Sequence, residues 1–430
     1  MKHRLIIAAA VALCLSVCGS GWAQPASAPL ASAVSAERLS RLHGFIEQAT
    51  RSGGYLGAVT LIVHRDRIVD LRAHGHRDLA RREAMAPDAI FRIYSMSKTV
   101  AAIAALMLVE EGRLNLDDPV ARHLPEFAAL QVLAGGSADA PQLRAPRRPL
   151  TLRHLLTHTA GFGTGGEGIE VASELLRRAH PHGAADLRDF ASRVARVPLA
   201  IDPGSRFRYD GVQIEVLGRV IEVASGVPLA AFLQQRLFGP LKMVDTGFEV
   251  PPAQRRRVVD ISTMGPQGQL VLAPGPSAAN PGAPLNRYPS GAGGLYSTAS
   301  DFARLCRMLL AQGTLDGVTI LGRKTVETML DNHLWQTDPA GGLPPSRFTL
   351  AEGFGLGGSV VVDAAQRGRL TSLGAFGWSG AASTYFTIDP KEQLAAILLM
   401  QHLHSEPTGV PDLPKLSNPF YNLVYQALIP

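Results

Sequence analysis

Cysteine is scarce in this sequence, with three residues in 430. Two of them, Cys14 and Cys18, lie in an N-terminal segment that we expect to be removed, which leaves Cys306 as the single thiol of the mature chain. This count excludes an intramolecular disulfide and a cysteine-ligated zinc or iron–sulfur centre. The 46% of hydrophobic residues must therefore stabilise the protein through a packed core.

Apolar runs long enough to cross a membrane are lacking as well. A charged start is followed by the apolar run Leu5–Val17, which is too short to span a bilayer and is typical of a secretory signal peptide. Small residues favour cleavage after Ala23 or Ala28, and we take 1–23 as the signal peptide. Cys18 raises the alternative of a lipoprotein, but the valine before it is larger than a lipobox usually tolerates. We expect a periplasmic or secreted protein without a membrane span.

Lysine is the third scarce residue, since 36 of the 42 basic residues are arginine. The net charge of +6 comes from arginines spread along the chain, which indicates a solvated basic surface rather than nucleic-acid binding. Arginine stays protonated in proteins, whereas a desolvated lysine can become a neutral base. A lysine in a chain that avoids lysine is therefore informative where a proton has to be accepted.

Lys98 stands in such a place, three positions after Ser95 in the sole Ser-x-x-Lys sequence of the chain. Residues three apart on a helix face the same way, so the serine hydroxyl and the lysine amine can meet. The following helix, predicted over Val100–Glu111, is apolar nearly all round and therefore buried. Burial and the helix N-terminus favour a neutral lysine and stabilise an oxyanion. The spacing predicts a serine nucleophile with a lysine base.

Tyr209 is the candidate for a third group that moves protons between nucleophile and leaving group. It follows the turn Pro203-Gly204 and precedes a predicted helix, Ile214–Ala224, where a side chain can be held rigidly. By itself a tyrosine is more often part of a core than a catalyst.

The chain shows helical patterns in its middle and strand-like runs at both ends. We predict one sheet domain from about 36–111 and 291–430, interrupted by a mostly helical insertion at about 112–290. Two segments rich in Pro, Gly and Ala, at 135–148 and 265–288, are expected to be loops, the second of them a wall or lid. Other predicted elements are helices at 36–52, 152–158, 229–238, 301–310 and 420–428, and strands at 58–63, 68–71, 358–362, 384–388 and 394–400.

Five segments of the chain form a joint pattern, namely Phe91–Lys98, Leu152–Gly161, Tyr209-Asp210-Gly211, Ser290–Thr298 and Gly377–Ala381. In this order they resemble motifs of the serine β-lactamase and penicillin-recognising superfamily, closest to class C β-lactamases and family VIII esterases, with Tyr209-Asp210-Gly211 at the position of a Tyr-x-Asn motif. The resemblance covers about residues 40 to 405. It implies a β-lactamase-like α/β (α+β) fold, with an antiparallel sheet from both chain ends flanked by helices and a mostly helical inserted subdomain.

The resemblance also implies roles for individual residues. Ser95, Lys98 and Tyr209 would be the catalytic group, and the backbone N–H groups of Ser95 and Ala381 would form the oxyanion hole. Gly380 would let substrate approach the strand closely. No cofactor or metal is expected, and the expected partner is a small-molecule ester or related acyl substrate. Two-step acyl transfer through an acyl-enzyme follows.

Two positions depart from the lactamase pattern. Gly211 stands where lactamases and DD-peptidases have an asparagine, and Trp378 stands where they have lysine or histidine. Tryptophan favours apolar groups over an anion, so both departures favour a carboxylesterase on short or medium acyl esters. A β-lactamase, DD-peptidase or amide hydrolase on the same site is the alternative. A catalytically inactive penicillin-binding-like module is an alternative of another class.

Three other short motifs resemble catalytic or metal sites of different protein classes. Gly377–Ala381 nearly matches the nucleophile elbow of α/β-hydrolases around Ser379, and Asp389, His402 and His404 follow in the expected order, but too little chain remains for the partner elements. The sequence His74-Gly75-His76-Arg77-Asp78 and the pair His154 and His158 each lack a residue that a metal site of their type requires.

Overall fold

A seven-stranded antiparallel sheet is built from both ends of the chain, as the sequence predicts. The computed structural model describes residues 34–51, 54–164, 168–334, 347–405 and 409–429, and the predicted signal peptide lies outside them. The strands of this sheet are β1 Gly57–His64, β2 Arg67–Gly75, β11 Glu352–Phe354, β12 Ser359–Val361, β13 Phe376–Gly380, β14 Thr384–Asp389 and β15 Leu394–Leu399. Their order across the sheet is β11-β12-β13-β14-β15-β1-β2.

Both faces of the sheet are covered by helices, because the central strands are apolar on both sides. In β1, Ala58 and Ile62 belong to the core under the terminal helices, whereas Val59 and Leu61 belong to the main core on the other face. The two terminal helices are α1 Ala36–Ala49 and α11 Ser417–Tyr425, and α9 Ala299–Leu310 packs on the main-core face.

Helix α2, Ser97–Glu110, runs through the main core and contacts the helical region. All its residues from Ser97 to Leu108 are buried, which agrees with its uniformly apolar sequence. The α-helix begins at Ser97, three residues before the predicted start at Val100, and Ser95 lies in a separate 3-10 turn, Tyr94–Met96, directly before it. The remaining helices are α3 Leu152–Leu156, α4 Glu170–Ala179, α5 Leu187–Val194, α6 Val212–Ser225, α7 Leu229–Leu233 with a π-helical continuation Gln234–Phe238, α8 Pro276–Ala279 and α10 Arg323–Leu330.

The two segments predicted as loops contain regular structure, so that prediction is wrong in part. Each segment takes part in a short hairpin, and positive φ angles at Gly136 and Gly268 permit the tight turns. The glycine-rich composition indicated these turns but not the strands beside them. The second segment also contains α8. The short strands of the molecule are β3 Phe91–Arg92, β4 Val132–Gly136, β5 Pro141–Arg144, β6 Ser262–Met264, β7 Leu270–Leu272, β8 Tyr296–Ser297, β9 Thr314–Leu315 and β10 Val318–Thr319.

Among the described residues, no single helix combines the length and apolarity that a membrane crossing requires. Helix α6 together with the pair α7 and Gln234–Phe238 meets the criterion only as a broken segment with a 75° bend. Most of α6 is buried in the core, from Val212 to Gly218 without interruption.

Candidate active site

A tight turn places Ser95 at the start of the buried helix α2. Strand β3 leads into the 3-10 turn Tyr94–Met96, and α2 follows directly. Tyr94 has a φ of 44°, a left-handed conformation that is rare for a bulky residue. Such strained residues concentrate at functional sites, where the surrounding structure holds them. The half-buried Ser95 side chain is thereby presented at the edge of the core.

Lys98 lies one helical turn further and is almost fully buried, with 3% of its surface exposed. Its Nζ donates hydrogen bonds to Ser95 Oγ at 3.0 Å and to the carbonyl oxygen of Ala292 at 2.7 Å. Among the residues that the structure describes, no carboxylate forms an ion pair with it. A neutral amine here would keep one N–H on Ala292 and direct its lone pair at the Ser95 hydroxyl. A general base needs that arrangement.

Tyr209 meets this pair from the other side of the cleft. Its ring centre lies 4.9 Å from Lys98 Nζ, and its hydroxyl accepts a hydrogen bond from Trp378 Nε1 at 3.1 Å. The side chain is 39% exposed, so it faces the solvent-filled part of the cleft. The structure thus brings the three predicted catalytic residues and Trp378 together, and it adds an indole–phenol hydrogen bond that the sequence did not indicate.

His158 holds the loop that carries Tyr209, and sequence reasoning assigned it no such role. Its ring packs against the Tyr209 ring at a tilt of 46°, with 4.6 Å between centres. Its Nδ1 accepts from Gln213 Nε2 at 2.9 Å and from the Asp210 N–H at 3.3 Å. Burial holds the pKa of His158 well below its usual range, and the neutral ring can therefore accept these protons. The signal available in the sequence was its place in the Leu152–Gly161 motif.

Glu215 is a second residue that sequence reasoning missed. It lies on α6, is 2% exposed, and accepts a hydrogen bond from Ser290 Oγ. Burial raises its pKa to about 7. Ser290 stands two residues before Ala292, whose carbonyl oxygen accepts a hydrogen bond from Lys98 Nζ. One short segment therefore connects the Glu215 carboxyl group to the lysine. Nothing in the helical pattern of α6 distinguishes Glu215 from a surface glutamate.

The end of β13 lies against the nucleophile turn. A side chain on Gly380 would come within 2.2 Å of Thr384 Oγ1 and 2.3 Å of the Ile93 carbonyl oxygen, so the protein itself occupies that space. The lack of a side chain at Gly380 therefore serves strand–turn packing, and its contact with substrate stays a prediction. In the described residues the N–H groups of Ser95 and Ala381 have no hydrogen-bond acceptor, which leaves both available for an oxyanion.

An aromatic wall continues from Tyr209. Trp378 packs edge-on against Phe354, with 5.0 Å between ring centres, and Phe207 stacks on Phe348 at 4.5 Å. Gly211 opens space beside this wall, because a Cβ there would be in ordinary contact with Ala292 and nothing closer. The two departures from the lactamase pattern therefore lie on the substrate side of the cleft.

Neither the α/β-hydrolase motif around Ser379 nor the pair His154 and His158 forms the site that its sequence suggests. Ser379 pairs with Tyr385 in the β-ladder, and Asp389 accepts a hydrogen bond from Tyr425 at 2.7 Å, so no α/β-hydrolase triad forms around Ser379. His154 caps α3 through its Nδ1, which accepts the Thr151 N–H, whereas His158 turns to the Tyr209 loop.

Comparison with known proteins agrees with this geometry. The sequence profile of the Beta-lactamase family matches residues 42–416. The chain belongs to this family. It is 32% identical to Esterase EstB of Burkholderia gladioli, with 86% of this chain and 92% of that protein covered. It is 30% identical to the lovastatin esterase of Penicillium rubens, with 77% and 84% covered.

Among solved structures, this beta-lactamase family chain is similar to EstCE1, described as a hydrolase with promiscuous acyltransferase activity. The TM-score is 0.71 at 25% identity, with 90% of this chain and 98% of the other covered. The fold prediction is confirmed. Relatives named as esterases within the same family identify the chain as a serine hydrolase that works by acyl transfer.

Proposed function

We propose that this family member is an exported carboxylesterase for small esters with apolar acyl or alcohol groups. The observation that carries the proposal is the position of Trp378, which donates to Tyr209 and presents an aromatic ring 5.1 Å from the Tyr209 ring. An indole offers apolar contact and no cation for a substrate carboxylate. The open space at Gly211 removes the amide that would bind the acylamino group of a β-lactam. The names of the two esterase relatives support the same direction.

In the proposed mechanism, Lys98 accepts the proton of Ser95 as Oγ attacks the ester carbonyl carbon. The N–H groups of Ser95 and Ala381 donate to the oxyanion. The carbon–oxygen bond to the alcohol then breaks, and Tyr209 protonates the leaving alkoxide. Its hydroxyl proton is free for this step, because the oxygen accepts the indole N–H. A water molecule activated by the same pair attacks the acyl-enzyme, and the acid and free serine are released.

Transfer of the acyl group to an alcohol is a second candidate for the final step. The cleft at Tyr209 is open, since the side chain is 39% exposed. Water and a small alcohol can both approach the acyl-enzyme from that side. The description of EstCE1 as a hydrolase with acyltransferase activity supports this candidate. Adding a primary alcohol to the assay and measuring the new ester separates the two outcomes.

The test of the main proposal is a substrate panel with a labelling control. We expect turnover of p-nitrophenyl butyrate to exceed that of nitrocefin by at least about 10²-fold, since the groups that recognise a β-lactam are absent. A fluorophosphonate should label the protein, and Ser95→Ala should abolish both labelling and turnover. Ser97→Ala, in the same turn region, is the matched control and should still be labelled. Equal turnover of the two substrates would favour a lactamase, and no labelling would favour an inactive binding module.

Export is proposed on the N-terminal pattern alone. Expression of the full chain in a Gram-negative host should give a periplasmic protein whose N-terminus, determined by sequencing, begins at Gln24 or Pro29. Deletion of residues 2–23 should keep the protein in the cytoplasm. A membrane-bound protein whose mature N-terminus is a lipid-modified Cys18 would contradict the soluble form and support membrane attachment.

A further inference from the structure

Two histidines beyond the end of β15 face one aspartate of the C-terminal segment. His402 Nε2 lies 2.8 Å from Asp412 Oδ1, and His404 Nδ1 lies 3.2 Å from Asp412 Oδ2. Residues two apart on an extended strand point to the same side, so both rings reach the same carboxylate. His402 and Asp412 have side chains exposed by 1% and 9%, and His404 by 25%. The group is buried, with one side open toward solvent.

The outer nitrogen of each ring meets a serine hydroxyl. Ser262 Oγ lies 3.0 Å from His402 Nδ1, and Ser383 Oγ lies 3.2 Å from His404 Nε2. Each hydroxyl also has a carbonyl acceptor, at 3.1 Å on Gln401 for Ser262 and at 3.0 Å on His402 for Ser383. A hydroxyl has one proton to donate. If each serine donates to its carbonyl, its oxygen is left to accept an N–H from the histidine.

That hydrogen-bond pattern corresponds to one of the two neutral tautomers of each ring. In it, His402 carries its proton on Nδ1 and His404 on Nε2, so the lone pairs of the two inner nitrogens point at the Asp412 carboxylate. In that tautomer a cation between the three groups stabilises the two lone pairs and the anion, which face one another at 2.8 and 3.2 Å, whereas in the other tautomer the inner nitrogens donate ordinary hydrogen bonds to Asp412. An outer N–H bonded to a hydroxyl acceptor, with the inner lone pair free, is the usual arrangement of a histidine that binds a metal.

We propose that His402, His404 and Asp412 form a binding site for a divalent transition-metal ion, with zinc the best match. Their ligand atoms all lie within 4.8 Å of one another, and no other such group occurs among the residues that the structure describes. Two imidazoles and a carboxylate are ligands that Zn²⁺ accepts, and the exposed side of His404 leaves a fourth position for water. This differs from the sequence expectation of no metal, which considered other histidines.

The metal would act at a distance from the reacting atoms. Ser383 stands two residues after Ala381, and the backbone N–H of His402 donates to the Ala382 carbonyl oxygen at 3.1 Å. Asp412 belongs to the segment that follows and accepts the Leu413 and Ser405 N–H groups. A bound ion would therefore tie the C-terminal segment to the turn that carries the predicted oxyanion donor. Its effect would be on stability, independent of whether the substrate is an ester.

The experiment titrates zinc chloride into the tag-free mature protein after EDTA treatment, with binding measured by calorimetry and unfolding temperature measured in parallel. We expect one zinc per chain and a higher unfolding temperature with zinc. His404→Gln and Asp412→Asn should weaken binding by more than about tenfold. His43→Gln is the matched control, because His43 pairs with Asp70 at 3.0 Å outside this group, and it should bind zinc like the wild type.

Ser262→Ala provides a variant that keeps all three ligands and removes the hydroxyl that faces His402 Nδ1, together with its hydrogen bond to the Gln401 carbonyl. We expect zinc affinity about 10- to 100-fold weaker, with an unchanged circular dichroism spectrum. This variant decides the question if a ligand variant fails to fold. The proposal is overturned if the wild type binds no stoichiometric zinc, which would mean that protons neutralise the cluster. It is equally overturned if His404→Gln and Asp412→Asn bind zinc as tightly as the wild type.

Discussion

Ser95 and Lys98 stand on a turn and helix that the core surrounds, whereas Tyr209 and Trp378 stand on a loop and a strand that face the cleft. Lys98 is 3% exposed and has both of its hydrogen-bond acceptors fixed by the chain. Tyr209 is 39% exposed and is oriented by tilted ring contacts with His158 and Trp378 and by the indole donor. The two sides of one site are therefore held by different means.

This difference separates the reaction from its specificity. The buried side offers a nucleophile and base whose geometry leaves little freedom, since a change of side chain must disturb close packing. The side that faces the cleft carries both departures from the lactamase pattern, Gly211 and Trp378, which are only partly buried. The same fold can therefore keep acyl transfer while its substrate changes. The following variants test whether the two sides respond as differently as they are built.

Lys98→Arg should have the largest effect, because it keeps the charge and removes the ability to accept a proton. We expect kcat/KM for p-nitrophenyl butyrate to fall by about 10³-fold or more. Lys324→Arg, on the exposed face of α10, is the matched control and should leave the rate unchanged. An arginine variant with a rate within about threefold of the wild type would contradict the assignment of the base.

Glu215→Gln should change how the free energy of unfolding of the protein depends on pH. The Glu215 pKa is about 7 in the fold against 4.5 in the unfolded chain, so between these values the folded state holds a proton that the unfolded state releases. Wild-type stability contributed by this group is therefore complete below pH 4.5 and is lost as the pH rises to about 7, by about 3 kcal/mol.

Urea unfolding of wild type and Glu215→Gln from pH 4 to 8 measures this loss. The free energy of unfolding of the variant should rise relative to the wild type as the pH increases, with the change centred between 4.5 and 7. The exposed Glu37→Gln serves as control and should track the wild type at every pH. A constant difference between Glu215→Gln and wild type would show that the carboxyl group titrates normally.

Gly380→Ala tests the contact between β13 and the nucleophile turn. The added Cβ would meet Thr384 Oγ1 and the Ile93 carbonyl oxygen at 2.2 and 2.3 Å, so strand and turn must separate. We expect a loss of about 1–3 kcal/mol in unfolding free energy, together with reduced activity. Gly44→Ala, in α1 with no atom within 4 Å of the new Cβ, should instead gain up to about 1 kcal/mol. Equal effects of the two substitutions would argue against close packing at Gly380.

The sequence was sufficient for the parts of the site that are local. Ser95 and Lys98 are three residues apart, and a lysine is conspicuous where 36 of 42 basic residues are arginine. The sheet was predicted because apolar runs at both chain ends read as buried strands, and the family motifs gave the fold. The prediction of domain boundaries at about 112 and 290 stays a prediction.

The missed features depend on contacts between distant segments. Glu215 meets Ser290 only after α6 packs, 75 positions away in the chain, and its own neighbours in sequence give no sign of burial. His158 reaches Gln213 across 55 positions, and Trp378 reaches Tyr209 across 169. The short hairpins were concealed by glycine-rich composition, which indicates a turn but does not reveal the strands of three to five residues beside it.

Trp378→Phe should have the smallest effect, since it keeps an aromatic face and removes the N–H that donates to Tyr209 together with part of the ring area. A hydrogen bond of this kind contributes about 0.5–1.5 kcal/mol, so kcat/KM should fall by about 2- to 10-fold. Tyr209→Phe alone should lose about 10²-fold, because it removes the proton donor. In the Tyr209→Phe background, Trp378→Phe should change little, since the acceptor is already gone. If Trp378→Phe costs the same in both backgrounds, the indole acts on the substrate directly, and the exposed side of the cleft is not organised through Tyr209.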